Sequence, residues 1–370
     1  MRSDPGGGGF AEPLRGKATH GMPRLRRSDP AAAGLLRRRN GRGFVYLDPD
    51  GVRVTDSEVL GRIRALAIPP AWTEVWICPH PMGHLQAVGT DAAGRRQYLY
   101  HPRWRERRDQ EKYDRVIRFA RALPRLRKVV ARDIRAPGMP RHRVLACAVR
   151  LIDRGYFRIG SEAYAEEHGT VGVATLHKDH VQVNGCAVLF DYPAKGGKRV
   201  VQQVADPDVV DVVRTLKRRR GPGDDELLAY RRGRTWVDVR SDDINQYIKD
   251  AAGDDHSAKD FRTWHGTVLA AVALAVSAPA SRSPTARKRA VSWAVKETAR
   301  SLGNTPAVCR AAYIDPRVVD RYRSGVTIAG VIDAVGAEPF TEPQLQARVE
   351  AAVLDLLAGE TGSEALERVA

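Results

Sequence analysis

The sequence predicts an α+β protein: a small β-rich N-terminal domain followed by a larger, mainly α-helical domain that contains a small antiparallel sheet. Three observations lead there. Before Arg103 apolar residues alternate in short runs between turn residues; from Trp104 they recur at three- and four-residue spacing; and one island of alternation around Asn184-Gly185 interrupts the helical part. At 370 residues and 43% hydrophobic composition the chain suits two domains and can fill their cores. The expected division is a disordered basic tail at 1–35, the β-rich domain at 36–103, the helical domain at 104–338 and a C-terminal helical tail at 339–370.

The tail is rich in Gly, Pro and Arg without apolar periodicity, so burial cannot offset its chain entropy. Strands are expected at 44–47, 75–77, 85–88 and 97–100, with Asp50-Gly51 as a turn. Helices are then expected at 114–123 and 144–152. The β island supplies strand candidates at 171–176, 180–183 and 186–192, joined in part by the strong hairpin turn Asn184-Gly185. A fourth, 199–204, follows the loop Pro193-Ala194-Lys195-Gly196-Gly197. The remainder reads as helix: 206–219, a capped segment from Ser241, 262–276, 285–302 and 342–357.

Charge narrows the partners. Lys and Arg number 61 against 44 Asp and Glu, a formal net charge of +17, and clustered cations of this kind neutralise phosphates and release their counterions. Nucleic acid is the first expectation and an anionic membrane surface the second. The longest apolar run, Val268 to Val276, falls far below the roughly 18–20 residues of a membrane span and reads as a buried helix. Met1 to Gly9 has no apolar h-region, so no export signal is expected. Four scattered cysteines without a CxxC pair fit a reducing, cytoplasmic compartment rather than a disulfide framework. Neither GxGxxG, GxxxxGK[ST], HExxH nor an EF-hand loop occurs. Cys78-Pro79-His80 with His84 could ligate a metal, but a turn between strands explains its prolines and glycine without one. No metal or cofactor is therefore expected.

More telling are basic residues in short, distinctive contexts that lead to a tyrosine. They are Arg158 in Phe157-Arg158-Ile159-Gly160-Ser161-Glu162, Lys195 in the Gly-rich loop, Arg262 in Lys259-Asp260-Phe261-Arg262-Thr263-Trp264, and Leu302-Gly303-Asn304-Thr305-Pro306 before Ala312-Tyr313. In this order they resemble the catalytic domain of the type IB DNA topoisomerases, in the compact poxvirus and bacterial branch. The resemblance runs from about Ala67 to Ser324. It implies that 36–103 is a DNA-clamp domain and 104–338 the catalytic domain of a monomer that clamps double-stranded DNA, nucleoid-associated if bacterial. It also implies metal- and ATP-independent relaxation of supercoils through a 3′-phosphotyrosyl intermediate.

Such chemistry needs a nucleophile, a proton for the leaving 5′-oxygen, and positive charge on the non-bridging oxygens of a five-coordinate phosphorus. Arginine's planar fork suits the oxygens, so Arg158 and Arg262 are assigned there. Lysine can release a proton when neighbouring cations lower its pKa, which makes Lys195, ahead of Lys198 and Lys178, the candidate general acid. By resemblance Tyr313 attacks the phosphate, and the nine-residue step from Asn304 selects it over Tyr322. Where the family usually has a histidine, this chain has Asn304, a hydrogen-bond donor that never becomes cationic. His265, three residues after Arg262, reads as structural. The stretch Arg95, Arg96, Gln97, Tyr98 and Tyr100 combines cations, amide and aromatics suited to phosphates and base edges, and the corresponding stretch of the family contacts DNA. The Arg-rich run 103–143 adds salt-sensitive, non-specific phosphate binding beside a solvated helix face. A tyrosine recombinase shares the Arg, Lys, Arg and Tyr chemistry, but its helical DNA-binding domain does not fit the β-rich N-terminal region. A non-catalytic basic DNA-binding protein of the same fold is the other alternative.

Overall fold

Alternating apolar residues build the first sheet. The computed structural model describes residues 24–220, 225–253, 255–278, 283–335, 343–360 and 362–368, and the chain divides into two compact units at Gln110/Glu111. In the first, β1 (Leu35–Asn40), β2 (Gly43–Leu47), β3 (Thr73–Ile77), β4 (Leu85–Thr90) and β5 (Arg96–Tyr100) form one antiparallel sheet in the order β2-β1-β3-β4-β5. A helix, α1 (Ser57–Ala65), packs Ile63 with Leu35, Val75, Ile77 and Ala87; Asp56 caps it by accepting from the Glu58 and Val59 amides.

Two expectations are corrected in this unit. Strand β1 is not among the strands expected: Leu36 to Asn40, with Arg37, Arg38 and Arg39, fall in the expected β-rich domain without a strand, and Leu35 falls in the expected tail. In the fold those arginines are strand residues: Arg37 donates to the carbonyls of Ile68, Pro69 and Trp72, and its guanidinium carbon lies 4.2 Å from the Phe44 ring centroid. Nor is the stretch from residue 24 to β1 loose. The Arg26 amide donates to Met82 O at 2.8 Å, Ser28 N–H to His84 Nδ1 at 2.9 Å, and the Trp76 indole to Ala32 O at 3.0 Å. His84 and Cys78 thus serve to fasten this segment. The remainder of the expected tail, 1–23, lies outside the described residues, as does the expected boundary at 338/339.

Helical periodicity organises the second unit. Helix α2 (Pro102–Asp133) starts before its boundary, and a stripe of Tyr113, Val116, Phe119, Ala120, Leu123, Leu126 and Val130 is buried along it. Then follow α3 (Arg141–Gly155), α4 (Glu162–His168), the antiparallel sheet β6 (Val181–Asn184), β7 (Ala187–Ala194) and β8 (Lys198–Val204), and α5 (Pro207–Lys217). A hairpin, β9 (Ala229–Arg232) with β10 (Thr235–Asp238), leads into α6 (Ser241–Ala252), α7 (Ala258–Ser277), α8 (Pro284–Ser301), α9 (Pro306–Ala312) and α10 (Pro316–Arg323). The short pair β11 (Val326–Thr327) and β12 (Glu367–Arg368) brackets α11 (Ala329–Val335) and α12 (Pro343–Ala358).

Helix α7 is the axis of this core: Phe261, Trp264, Val268, Ala271 and Leu274 are buried in it, although Val276 at the end of the apolar run is 58% exposed. Residues 171–176 are not the strand expected. They form irregular backbone with one 3₁₀ turn at Val173–Thr175, because two central amides are taken by the segment after α3: Val173 N–H donates to Arg158 O at 2.9 Å and Ala174 N–H to Ile159 O at 2.7 Å. Among the described residues no helix is long and apolar enough to cross a membrane.

Candidate active site

Arg262 stands in the buried run Asp260 to Val268 of α7. Asp260 tightens the helix start by accepting from the Ser257 amide and hydroxyl at 2.9 and 3.2 Å. The Arg262 side chain is buried; it donates to Tyr156 O at 2.8 Å and to Leu302 O at 2.6 Å, while its Nε has no partner among the described residues. Its guanidinium carbon lies 5.3 Å from the centroid of the Tyr313 ring. Burial, and then the charge of Arg158, lower its pKa from the usual guanidinium value, with Tyr313 and Tyr192 opposing.

Arg158 follows α3. It donates to the Asn304 side-chain oxygen at 2.6 Å and to Gly303 O at 3.2 Å. Its position depends on two glycines. Gly160 has a φ of +77°, and a Cβ on Gly172 would stand 2.3 Å from Gly160 N, so the 158–160 and 171–174 segments meet backbone to backbone. Beside them Tyr192 has its phenol pushed up to about 12 by burial, against the pull of Arg262 and Arg158.

Tyr313 closes α9, whose start Thr305 caps through the Val308 amide. It packs partly buried against the cluster of Ala270, Val295, Ala299, Leu302, Cys309 and Ile314. Its backbone is held closely: the Thr267 hydroxyl donates to Tyr313 O at 3.4 Å, and the Tyr113 hydroxyl to Ile314 O at 2.8 Å. A Cβ on Gly266 would lie 2.6 Å from Tyr313 O, so only glycine lets α7 approach this close. Tyr322, by contrast, is a core residue, 4% exposed.

A cleft of about 360 Å³ opens beside these groups, walled by Arg158, Lys195, Lys198, Arg199, Arg262 and Arg300, with no carboxylate among its described lining residues. Lys195 comes from the turn between β7 and β8, and Lys198 from the first position of β8, so both reach the cleft. Asn304 and Tyr313 do not line it; they join it through Arg158 and Arg262. The Asn304 side-chain nitrogen is buried and has no partner among the described residues, which leaves a donor uncommitted beside Arg158.

Behind the cleft lies a buried ionic chain that no local sequence pattern signals. Arg127 of α2 bonds Asp153 of α3 at 2.7 Å and Glu350 of α12 at 2.6 Å, and His265 of α7 meets the other Asp153 oxygen at 3.1 Å. His265 is thus structural, its ring edge-on to Tyr156, the carbonyl of which holds Arg262. Burial opposes ionisation of Asp153, yet Arg127 and His265 hold its carboxyl well below the usual range. A depressed folded-state pKa stabilises the fold above the unfolded value of about 3.9, and the gain is lost as pH falls through the folded value. Asp153→Asn is therefore expected to destabilise the protein by about 3–5 kcal/mol at pH 7, as for a broken buried pair. Urea unfolding checks this, and the difference from wild type should shrink only below about pH 4.

In the first unit the expected DNA-facing set divides. Arg96, Tyr98 and Tyr100 share the exposed side of β5, the two tyrosine rings stacked with centroids 6.2 Å apart. Gln97 lies on the opposite, Leu99 side and donates to Asp91 at 2.8 Å; Arg95 is paired with the same carboxylate at 2.8 Å. Hydrogen bonds from Arg95 bring Asp91 down to about 2. The alternation around Leu99 carries the signal that places Gln97 on the inner face.

The second unit thus carries a cationic cleft, with no carboxylate among its described lining residues, joined through Arg262 to Tyr313, and comparison with known families gives its class, an isomerase that acts on DNA. Residues 101–327 match the family described as eukaryotic DNA topoisomerase I, catalytic core, and residues 43–91 the bacterial DNA topoisomerase IB, N-terminal domain. The chain belongs to the type IB DNA topoisomerase family. It is 29% identical over 299 residues to DNA topoisomerase 1B of Acanthamoeba polyphaga mimivirus, covering 79% of this chain and 88% of the relative. Vaccinia virus DNA topoisomerase 1B is 19% identical over 255 residues, covering 69% of this chain and 76% of the relative. DNA topoisomerase 1 of Candidozyma auris matches 43% of this chain at 28% identity, over 20% of its own length.

Proposed function

We propose that the chain relaxes supercoiled duplex DNA by cutting one strand through a 3′-phosphotyrosyl intermediate on Tyr313 and resealing it. The observation that carries this reading is the cleft of six cations with no carboxylate among its described lining residues, with Tyr313 packed on Arg262. The Tyr313 oxygen, its proton passing to solvent, attacks phosphorus as the bond to the 5′-oxygen breaks, and Lys195 gives the 5′-oxygen its proton. Arg158 and Arg262 take the non-bridging oxygens, where charge grows in the transition state; both are pre-positioned by backbone carbonyls and so need little reorganisation. These cations supply charge that a metal would otherwise provide. The phosphotyrosyl ester retains the bond energy, so attack by the 5′-hydroxyl reverses the step without ATP, and the duplex rotates in between. Exposed Arg96, Tyr98 and Tyr100 face DNA in the first unit, with Arg95 and Gln97 shaping that strand through Asp91.

The test is relaxation of a supercoiled plasmid by the protein alone in EDTA without ATP, with a denaturant quench to trap adduct. Relaxation with trapped adduct supports the reading; strand exchange that needs two specific sites would favour a recombinase instead. Asn304 is proposed as the neutral donor to a phosphate oxygen. Asn304→Ala should slow single-turnover cleavage by roughly 10²–10³, the loss typical of one oxyanion-type donor. Cleavage at the wild-type rate would remove the role.

A further inference from the structure

Helix α8 buries Ala290, Val291, Ala294, Val295, Thr298 and Ala299 and turns another face to solvent. On that outer face stand Arg289, Trp293, Lys296 and Arg300, at steps of four, three and four residues, which align along one side of a helix. All four are exposed, and Trp293, the largest apolar side chain on the helix, is 46% exposed. The fold does not need an indole there. The helix carries five cations and a single carboxylate, Glu297, which is held by Arg300 at 2.5 Å. The ridge is also continuous with the cleft, since Arg300 lines both.

We propose that this ridge is a track for the duplex flanking the cleaved phosphate, with Arg289 and Lys296 on phosphates about three nucleotides apart and Trp293 between them. The proposal rests on the reading of the cleft as a DNA site. Eleven residues of helix rise about 16 Å, close to the length of five nucleotides of one strand at about 3.4 Å each. Arg289 and Lys296 neutralise backbone charge without reading sequence. The indole covers sugar faces with its apolar surface and offers its N–H to a phosphate oxygen. The ridge would then hold the duplex during rotation and set how many supercoils are removed in each cleavage event.

The experiment uses the full chain and a fluorescent duplex of mixed sequence, with binding followed by anisotropy across a KCl series. Arg289→Gln/Lys296→Gln is expected to weaken binding about tenfold and to reduce the slope of log K against log salt by about two. Trp293→Ala is expected to weaken binding with the slope unchanged. Arg289→Lys/Lys296→Arg, which keeps the charge, should bind as wild type; in relaxation assays the Gln pair should release partly relaxed intermediates sooner. A wild-type slope and affinity in the Gln pair, or equal weakness in the charge-preserving pair, overturns the track. A wild-type protein that binds DNA but never leaves a denaturant-resistant adduct overturns the cleavage reading instead, so the two failures are distinct.

Discussion

Tyr313→Phe is expected to abolish both plasmid relaxation and the denaturant-resistant protein–DNA adduct, a loss on the order of 10⁴-fold or more. The substitution removes one oxygen. The ring still packs against Ala270, Leu302 and Cys309, and the backbone contacts through Thr267 and Gly266 do not involve the phenol. Fold and DNA binding should therefore survive, as measured by thermal unfolding and anisotropy. An adduct of undiminished yield in the variant would transfer the nucleophile to another residue. Tyr322 is a poor substitute, being buried in the core.

The second large effect is expected at Arg262. Arg262→Lys retains a positive charge but loses the planar fork, and one ammonium cannot reproduce the donations to Tyr156 O and Leu302 O while also serving a phosphate. Cleavage should fall roughly 10²–10³ or further, chiefly in the rate of the chemical step rather than in DNA affinity, because the interaction grows in the transition state. Single-turnover cleavage at saturating enzyme measures this. Two buried carbonyls also lose a donor, so stability should drop by about 1–3 kcal/mol. Cleavage within about threefold of wild type would show that Arg262 is a structural cation only.

Much of the site was legible because its chemistry is local. The nine-residue step from Asn304 to Tyr313 is one short loop and one short helix, and Arg262 falls on a helix that its apolar spacing already announces. The hairpin at Asn184-Gly185 was equally plain, since few dipeptides accept that turn. Elsewhere one local pattern has two physical outcomes. Residues 171–176 have strand composition, but the Val173 and Ala174 amides bond the Arg158 segment and no sheet ladder forms. Strand β1 carries three arginines where alternation of apolar residues would mark a strand, and only in the fold does the Arg37 guanidinium find the carbonyls of Ile68, Pro69 and Trp72.

By itself, then, the sequence determined which groups are present, their order, and the helices and hairpins whose stability is short-range: a basic chain with two arginines, a loop lysine, an amide and a tyrosine at family spacing. Only the tertiary structure decided which of them meet. It drew Lys198 and Arg300 into the cleft, turned Gln97 away from Tyr98, and joined Arg127, Asp153, His265 and Glu350 into one buried chain behind Arg262. The reason is physical. Spacing fixes which face of an element a residue occupies, whereas contact between elements is fixed by how cores far apart in the chain pack together and by which buried charges must find partners there.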